Sequence, residues 1–330
     1  MFMFKNKIIL VTGGTGSFGH YIVSKLLKFK VKEIRIFSRD EKKQDDMRFE
    51  FKNKNLRFII GDVRNKASLK KAMRNVDIVF HAAALKQVPS CEYNVFEAVK
   101  TNIIGAQNIV EVALEENVDH VVAISTDKAV EPVNVMGMTK AIQERIFISA
   151  NLHKDGKRTK FCCVRYGNVL GSRGSVIPLF KKQIESGHSL TLTDERMTRF
   201  ILTLDQAIDL VFKAVEYGIG GEIFVLKVPA HTVNDLAEVM ISELNSNSKI
   251  INTGIRPGEK IHETIISPTE SLRTIEKEDH FIVLPQIRID EIEKKYLNYK
   301  KKDIFRFSSN NAEKLNKEQL KKILKDEGWI

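Results

Sequence analysis

Four consecutive residues in the middle of the chain supply two hydroxyls, a carboxylate and an amine: Ser125, Thr126, Asp127 and Lys128. Side chains of these types exchange protons with a substrate when they are held beside it. They directly follow 120–124, an apolar run rich in β-branched residues that predicts a buried parallel strand. Because catalytic groups of open α/β sheets lie at the carboxyl ends of strands, this position favours proton-transfer chemistry. The alternative is a strand end followed by a solvated loop.

A second amine, that of Lys140, follows Lys128 by twelve residues, early in a helix predicted over 139–153. Met136 stands four residues before Lys140, so the two share a helix face if the helix has already begun there. The elements that surround this stretch decide whether the amines and the carboxylate form one site.

A glycine-rich stretch near the N-terminus predicts a dinucleotide-binding turn. It lies between a buried strand predicted over 7–11 and an amphipathic helix predicted from His20 to about Lys28. Small residues at such a junction let the backbone approach a pyrophosphate, and the helix N-terminus offers N–H donors. A tight turn without a ligand is the alternative. The residues expected to contact the cofactor here are Gly13, Thr15, Gly16, Ser17, Phe18 and Gly19.

The end of the second predicted strand, 33–37, bears on the choice of cofactor. Ser38, Arg39 and Asp40 follow it, and Lys42 comes shortly after. A carboxylate at this point would favour the free ribose 2′-hydroxyl of NAD, whereas cations favour the 2′-phosphate of NADP. Arg39, Lys42 and the adjacent Lys43 therefore predict NADP, and Asp40 keeps NAD possible.

Two further strand ends are predicted to contact the cofactor. Asp62 and Val63 follow a strand at 57–60, where Asp62 could accept from the adenine amino group or cap a helix at 66–74. A fourth strand, 77–84, ends in alanines whose small side chains leave room for a flat ligand; the predicted contacts are Ala82 and Ala83.

Strands and helices alternate through the first half of the chain, with further strands predicted at 120–124 and 161–164 and a long helix at 94–116. This alternation predicts an α/β fold with a doubly wound parallel sheet. We assign 1–170 and 205–228 to a cofactor-binding domain. The remaining segments, 171–204 and 229–330, are predicted to form a smaller, interleaved lobe that closes over a cleft.

Composition narrows the choice of partners. The 330 residues carry a formal net charge of +11, but the lysines are interleaved with acids and form no basic stripe with aromatic residues. We therefore expect an anionic small substrate and no nucleic acid. The three cysteines form neither a disulfide framework nor a metal-ligand pattern, and no signal peptide or membrane span is recognisable, so we expect a cytoplasmic protein.

Six motifs together resemble the extended short-chain dehydrogenases that act on nucleotide sugars, over nearly the whole chain: TGGTGSFG (12–19), SRDEKKQ (38–44), HAAALKQVP (81–89), STDKAV (125–130), RYGNVLGSRGSVIP (165–178) and RPGEKIHE (256–263). The chain is most similar to the UDP-N-acetylglucosamine 4,6-dehydratase (5-epimerase) group of bacterial polysaccharide biosynthesis. The resemblance implies a Rossmann domain, NADP, a UDP-sugar substrate and a homo-oligomer, either a dimer or a higher assembly such as a hexamer. The substrate contacts it implies are Lys86, Asn168, Arg173, Val176, Thr191, Arg199, Arg256 and Glu259. Guanidinium groups such as those of Arg173, Arg199 and Arg256 suit a diphosphate, although each alone would be read as a surface residue.

The chain departs from the usual catalytic pair of that superfamily, Tyr-x-x-x-Lys. Lys140 is kept, but Met136 occupies the tyrosine position, and a thioether cannot exchange a proton. One branch of the dehydratase group resembles the present chain in having Met there. Our hypothesis is that neutral Lys128 removes the sugar C5 proton and that protonated Asp127 donates to the departing C6 hydroxyl. Lys140 would hold the nicotinamide ribose and help to keep Lys128 neutral.

Thr126, Lys128 and a bound water remain open as acceptors of the C4 hydroxyl proton. Two alternatives to the dehydratase are a UDP-sugar 4-epimerase, which Asp127, Lys128 and the missing tyrosine oppose, and a non-catalytic nucleotide-binding protein.

Overall fold

A mainly parallel sheet forms the centre of the computed structural model, which describes residues 3–154, 156–172, 174–299 and 303–330. The strands are, in chain order, β1 (Ile8–Thr12), β2 (Glu33–Ser38), β3 (Leu56–Ile60), β4 (Ile78–His81), β5 (His120–Ile124), β6 (Lys160–Arg165), β7 (Asn168–Val169), β8 (Leu190–Leu192), β9 (Thr198–Leu202), β10 (Ile223–Leu226), β11 (Ala230–Thr232), β12 (Ile250–Asn252), β13 (Thr264–Ile266), β14 (Thr274–Glu276), β15 (His280–Val283) and β16 (Phe307–Ser308).

The helices connect and cover these strands. They are α1 (Ser17–Leu26), α2 (Glu41–Phe51), α3 (Lys66–Met73), α4 (Val88–Tyr93), α5 (Val95–Ala98), α6 (Gly105–Glu115), α7 (Val135–Ser149), α8 (Val176–Glu185), α9 (Leu204–Tyr217), α10 (Val233–Glu243), α11 (Pro268–Ser271), α12 (Asp290–Tyr296) and α13 (Lys317–Asp326). A π-helical turn (Val99–Ile104) joins α5 to α6, and two short 3₁₀ turns lie at Asp127–Ala129 and Ala150–Leu152.

The main sheet has the order β14-β15-β10-β6-β5-β4-β1-β2-β3. Pairing is parallel from β3 to β10 and antiparallel for β10, β15 and β14. Strands covered on both faces bury every side chain, which explains why β1 and β10 consist entirely of buried residues. The predicted fold class, a doubly wound parallel α/β sheet, is confirmed.

The second lobe has a hydrophobic core of its own. Two small sheets, β11-β9-β7 and β12-β8, lie among α8, α10 and α13, near buried residues that include Phe180, Leu236, Met240, Leu320 and Leu324. A third, β13-β16, packs against the core of the main sheet through Ile265, Ile266 and Phe307. Between its segments the chain returns to the main sheet through α9 and β10. The main sheet also takes up β14 and β15, which lie within the stretch that the sequence assigns to the second lobe.

Several element boundaries differ from the sequence-based prediction around the cleft. The long helix predicted over 94–116 is interrupted by the π-helical turn, and α7 begins at Val135 rather than Thr139. Asn134 explains the earlier start, because its side-chain oxygen accepts from the backbone N–H of Gly137 and caps the helix. The fourth strand ends at His81, so Ala82 and Ala83 lie in the loop beyond it.

A buried ionic network fixes the elements beneath the cleft. The guanidinium of Arg165, at the end of β6, donates to both carboxylate oxygens of Glu144 in α7 and of Glu270 in α11. Ser125 donates to the same Glu144 carboxylate at 2.6 Å. Because loss of one partner would leave an uncompensated buried charge, this network holds the end of β5 in one position relative to α7.

Candidate active site

The cleft between the main sheet and the second lobe has a volume of about 750 Å³. It runs along the carboxyl ends of the parallel strands, where α/β proteins bind their ligands. Its walls include the glycine-rich turn, the ends of β2 to β6, and loops of the second lobe.

The glycine-rich turn is packed too tightly for larger residues. Gly13 has a φ of +66°, and a Cβ added there would lie 2.8 Å from the backbone nitrogen of Ala83. A Cβ added at Gly19 would lie 2.4 Å from the carbonyl oxygen of Gly13. Gly16 stands at the N-cap of α1, where no side chain covers the first backbone N–H groups. A turn of this shape at a helix N-terminus fits a pyrophosphate, and all six residues predicted for this contact line the cleft: Gly13, Thr15, Gly16, Ser17, Phe18 and Gly19.

The far end of the cleft contains most of the residues predicted to contact the adenosine, which are Ser38, Arg39, Asp62, Val63, Ala82 and Ala83. Burial alone would raise the pKa of Asp62, but hydrogen bonds from Arg64 outweigh burial and lower it. The Arg39 guanidinium lies 3.8 Å from the same carboxylate. The suggestion that Asp62 caps the following helix is wrong, because Asn65 caps α3 by accepting from Ser68 N–H.

Lys42 does not belong to this group. Its ammonium pairs with Asp46 one turn along α2, and it is not among the residues of the cleft wall, whereas its neighbour Lys43 is. Asp40 caps α2, accepting from the backbone N–H of Lys43 at 3.0 Å and pairing with the Lys43 ammonium. The cations that face the cleft at this strand end are therefore those of Arg39 and Lys43.

The proton-transfer residues meet where β5 ends. Asp127 is fully buried, and its Oδ1 accepts from Thr126 Oγ1 at 2.9 Å and from Lys128 Nζ at 3.1 Å. Burial, opposed by Lys128 but reinforced by the Glu263 carboxylate, raises the pKa of Asp127. A carboxyl group in this setting retains its proton to a higher pH and can serve as a general acid.

Lys128 differs from the sequence-based expectation. Burial favours its neutral form, but the Asp127 and Glu263 carboxylates outweigh burial and raise the pKa of the amine. Lys128 therefore rests as an ammonium ion, and the neutral resting state expected from the sequence is wrong. Asn168 completes its surroundings, with the amide oxygen 3.4 Å from Nζ.

Glu263 is a member of the site that the sequence analysis missed. Its Oε1 lies 3.2 Å from Lys128 Nζ, and the residue is 2% exposed. It ends the RPGEKIHE motif, just before β13, so the motif was the one available signal. Nothing in the sequence indicated that this carboxylate faces Lys128.

Lys140 and Met136 lie one turn apart on α7, and both line the cleft. Lys140 Nζ donates to the carbonyl oxygen of Ile124 at 2.5 Å and to Gln143 Oε1 at 2.9 Å. Burial lowers the pKa of Lys140 to about 8. Met136 is buried against Cys91 and Ala98, so the position of the usual tyrosine holds an apolar side chain.

Most of the predicted substrate contacts line the same cleft: Lys86, Asn168, Val176, Thr191, Arg199, Arg256 and Glu259. The guanidinium of Arg199 donates to the carbonyl oxygens of Thr198, Lys260 and Ile261, so it supports the loop that carries Glu263. Arg173 lies outside the residues that the structure describes.

Comparison with known proteins gives the family. The profile of a family described as polysaccharide biosynthesis protein matches residues 9–285. The chain belongs to this family. Among its relatives, a protein of Rickettsia massiliae called UDP-glucose 4-epimerase is 45% identical, with 98% of this chain and 96% of the relative covered. A protein of Methanocaldococcus jannaschii called an uncharacterized membrane protein is 49% identical, with 99% of this chain and 98% of the relative covered.

Solved structures agree with the fold. Pen from Bacillus thuringiensis is 43% identical, with a TM-score of 0.93 and 100% of both chains covered. A dTDP-glucose 4,6-dehydratase of Streptomyces venezuelae, solved with NAD bound, has a TM-score of 0.72 at 21% identity, covers 98% of this chain and 96% of its own, and supports the fold alone. In the parts of the chain described, no helix has the length and apolar character needed to cross a bilayer.

Proposed function

We propose that this protein is an NADP-dependent dehydratase that removes water from UDP-N-acetylglucosamine, inverts C5 and yields a UDP-4-keto-6-deoxy-amino sugar for surface polysaccharides. One observation carries the proposal: the buried Asp127 carboxyl and the Lys128 ammonium stand 3.1 Å apart at the end of β5, beside a methionine in the tyrosine position. An acid and a potential base side by side suit elimination of water, in which one proton is removed and another is donated.

The residues of the cleft fit a dinucleotide. The glycine turn and the N-terminus of α1 would hold the pyrophosphate, and Arg39 and Lys43 would face the adenosine ribose, where two cations favour a 2′-phosphate. A nicotinamide held there would supply reversible hydride transfer between C4 and C6 of the sugar, so no second redox substrate would be consumed. Lys140 would hold the nicotinamide ribose.

The chain's own residues would then move the protons. Lys128 removes the C5 proton after giving up its own, and Asp127 donates its proton to the C6 hydroxyl, which leaves as water. Thr126 donates to Asp127 Oδ1 and thereby fixes the direction in which the acid points. Because the described cysteines are free thiols, we expect the reaction to take place in the cytoplasm.

A UDP-sugar 4-epimerase is the second candidate, because relatives about 45% identical carry that name. Superfamily epimerases use a tyrosine to deprotonate the C4 hydroxyl, and Met136 cannot perform this step. The lysine and carboxyl pair also has no evident task in a reaction that removes no water. The site therefore favours the dehydratase.

The deciding experiment is incubation with NADP and either UDP-N-acetylglucosamine or UDP-glucose in deuterated water, followed by mass spectrometry and proton NMR. Dehydration lowers the mass of the sugar by one water and introduces deuterium at C5, whereas epimerisation leaves the composition of the sugar unchanged. An unchanged mass with inverted C4 would replace the dehydratase by the epimerase. Recovery of both sugars unaltered would favour a nucleotide-binding protein without catalysis.

A further inference from the structure

The RPGEKIHE segment lies across the STDKAV segment and binds it at several points. Lys260 Nζ donates to the carbonyl oxygen of Val130 at 2.7 Å, and the Asn134 side chain donates to the carbonyl oxygen of Gly258 at 2.7 Å. These contacts join the second lobe to the loop that begins at the end of β5. We call the two segments together, 256–264 with 126–134, the brace.

An ion pair closes the brace on its outer side. Glu131 has a φ of +45°, and its carboxylate accepts from Arg306 at 2.5 and 3.0 Å. The same guanidinium donates to Thr264 Oγ1 at 3.1 Å. Arg306 thus connects Thr264, which adjoins Glu263, to Glu131 in the segment that carries Lys128. The position of Glu263 opposite the ammonium is therefore set by several independent contacts.

Lys128 bridges two carboxylates inside the brace. Its Nζ lies 3.1 Å from Asp127 Oδ1 and 3.2 Å from Glu263 Oε1. The other two carboxylate oxygens, Asp127 Oδ2 and Glu263 Oε2, are buried without a hydrogen-bond partner among the described residues. Two ionised carboxylates with unpaired buried oxygens would be costly in free energy. The arrangement therefore favours a protonated Asp127 and an ionised, negatively charged Glu263.

Cations distinguish the two carboxylates. Glu263 faces Lys128, Arg199 and Lys260, and these cations lower its pKa although burial opposes them. Burial raises the pKa of Asp127, and Glu263 adds negative charge beside it; the ammonium of Lys128 opposes both at 3.1 Å, and Lys260 interacts with the carboxyl as well. Lys128 itself faces Asp127, Glu263, Arg199 and Lys260. Glu263 is therefore the ionised acceptor nearest to the ammonium.

We propose that Glu263 is a positioning residue that receives the proton Lys128 must lose before it can act as the C5 base. One N–H bond of the ammonium breaks and one O–H bond forms on Glu263 Oε1, so a charged pair becomes a neutral pair and the net charge of the site is unchanged. Closure of the cleft over a substrate removes water from Lys128 and favours the neutral pair. The inference rests on the proposed function, because it assigns Glu263 to the base of that reaction.

The proton removed from C5 and the proton given to the C6 hydroxyl balance within this group, and the two remaining protons of a turnover, one lost by the C4 hydroxyl and one returned to C5 from the opposite face, cancel each other outside it. Lys128 regains a proton from C5, and Asp127 gives its proton to the C6 hydroxyl. The extra proton on Glu263 then returns through Lys128, which contacts both carboxylates, to Asp127. The resting state, with a protonated Asp127 and an ionised Glu263, is restored.

The test is the pH dependence of kcat/KM for loss of water in the wild type, Glu263→Gln and Glu263→Asp. In the wild type, transfer within the site makes the rate nearly independent of pH around neutrality. In Glu263→Gln the proton must leave to solvent, so we expect a loss of about 10²-fold at pH 7 and a tenfold gain for each pH unit above it. Glu263→Asp should keep the wild-type profile. A Glu263→Gln profile parallel to that of the wild type would overturn the proposal.

Arg306→Met is the matched control, because it weakens the brace without removing a group from the proton path. It should lower the rate by the same factor at every pH. A rising limb like that of Glu263→Gln in this variant would assign the effect to loosening of the brace and would overturn the role of Glu263.

A measurement that needs no turnover separates this inference from the proposed function. Competitive acetylation followed by mass spectrometry gives the pH at which Lys128 becomes reactive. Glu263→Gln removes the negative charge of Glu263, so the pH at which Lys128 becomes reactive should fall by about one unit or more. The reactivity of Lys140 in the same sample is the internal reference. An unmoved reactivity would overturn the inference, whereas a wild type that dehydrates no UDP-sugar would overturn the proposed function and leave the labelling result to decide on Glu263.

Discussion

Gly137 packs against the backbone carbonyl of Lys128: a Cβ added at Gly137 would lie 2.2 Å from that oxygen. The first turn of α7 therefore lies directly on the segment that carries the proton-transfer residues. Only a residue without a side chain permits this approach. The position of Lys128 thus depends on a glycine in a neighbouring helix as well as on its own strand.

Gly137→Ala should destabilise the protein by about 1–3 kcal/mol, because a backbone carbonyl cannot move aside as a flexible side chain can. The clash outweighs the gain in stability of about 1 kcal/mol that alanine otherwise brings over glycine in a helix interior. Urea unfolding measures the change, and the rate of water loss should fall with it as Lys128 is displaced. Arg145→Ala, on the exposed side of α7, is the control and should change stability by less than about 0.5 kcal/mol. A Gly137→Ala variant more stable than the wild type would contradict the close contact.

Arg39→Ala should weaken NADP binding by about 1–3 kcal/mol and leave NAD binding nearly unchanged, because the guanidinium would contact only the 2′-phosphate. Isothermal titration with both cofactors gives the two affinities. Lys42→Ala is the matched control: its ammonium pairs with Asp46 and lies away from the cleft, so neither affinity should change. Equal losses of NAD and NADP affinity in Arg39→Ala would refute the assignment.

Exposed apolar residues lie on adjoining helices, notably Tyr93 of α4, Phe96 of α5, and Met138 and Ile142 of α7. Large exposed apolar patches mark association sites, so we expect a dimer or a larger assembly. Phe96→Asp should lower the molar mass measured by light scattering. Phe49→Asp replaces an equally exposed phenylalanine on α2, at 66% against 67%, and should leave the mass unchanged. A wild type that is monomeric at micromolar concentration would remove this prediction.

The parallel sheet could be predicted because strands buried on both faces appear as short apolar runs, as at 120–124. The glycine turn could be predicted because its spacing follows from the steric needs of a strand-to-helix turn. In contrast, the π-helical turn contains Asn102, whose side chain accepts from the backbone N–H of Leu85 at 2.8 Å and donates to its carbonyl oxygen at 2.9 Å. One such residue leaves no periodic pattern in the sequence.

The same limit explains the error about Lys128. Burial lowers its pKa, but the neighbouring Asp127 and then Glu263 raise it, and Glu263 is far away along the chain and is brought near by the brace. The expectation that Lys140 would suppress the charge of Lys128 considered only neighbours within the motif. A charge balance depends on distances in space, and these follow only from the packing of the second lobe on the sheet.

Lys140→Met should remove a pH dependence of stability that the wild type shows. Burial lowers the pKa of Lys140 from 10.5 to about 8, so between these values the unfolded chain binds a proton that the folded protein does not. Stability should therefore rise with pH over this window, whereas below pH 8 the folded state bears the full cost of a buried ammonium. The change amounts to about 3 kcal/mol. Urea unfolding between pH 7.5 and 10.5 gives both curves, and parallel curves for the wild type and Lys140→Met would contradict the burial of a titrating amine.

Replacing the two proton-transfer residues should separate the two halves of the elimination. Lys128→Ala removes the C5 base, so it should abolish both deuterium incorporation at C5 and loss of water. Asp127→Asn keeps the size of the side chain and a carbonyl oxygen that can accept from Thr126 and Lys128, but it has no proton for the C6 hydroxyl. It should therefore slow water loss by about 10²–10⁴-fold while some C5 exchange continues. Both readouts come from proton NMR and mass spectrometry of the sugar in deuterated water. Normal C5 exchange in Lys128→Ala would assign the base to another group, with Asp127 the first candidate, since its carboxyl lies beside the ammonium at the end of the same strand.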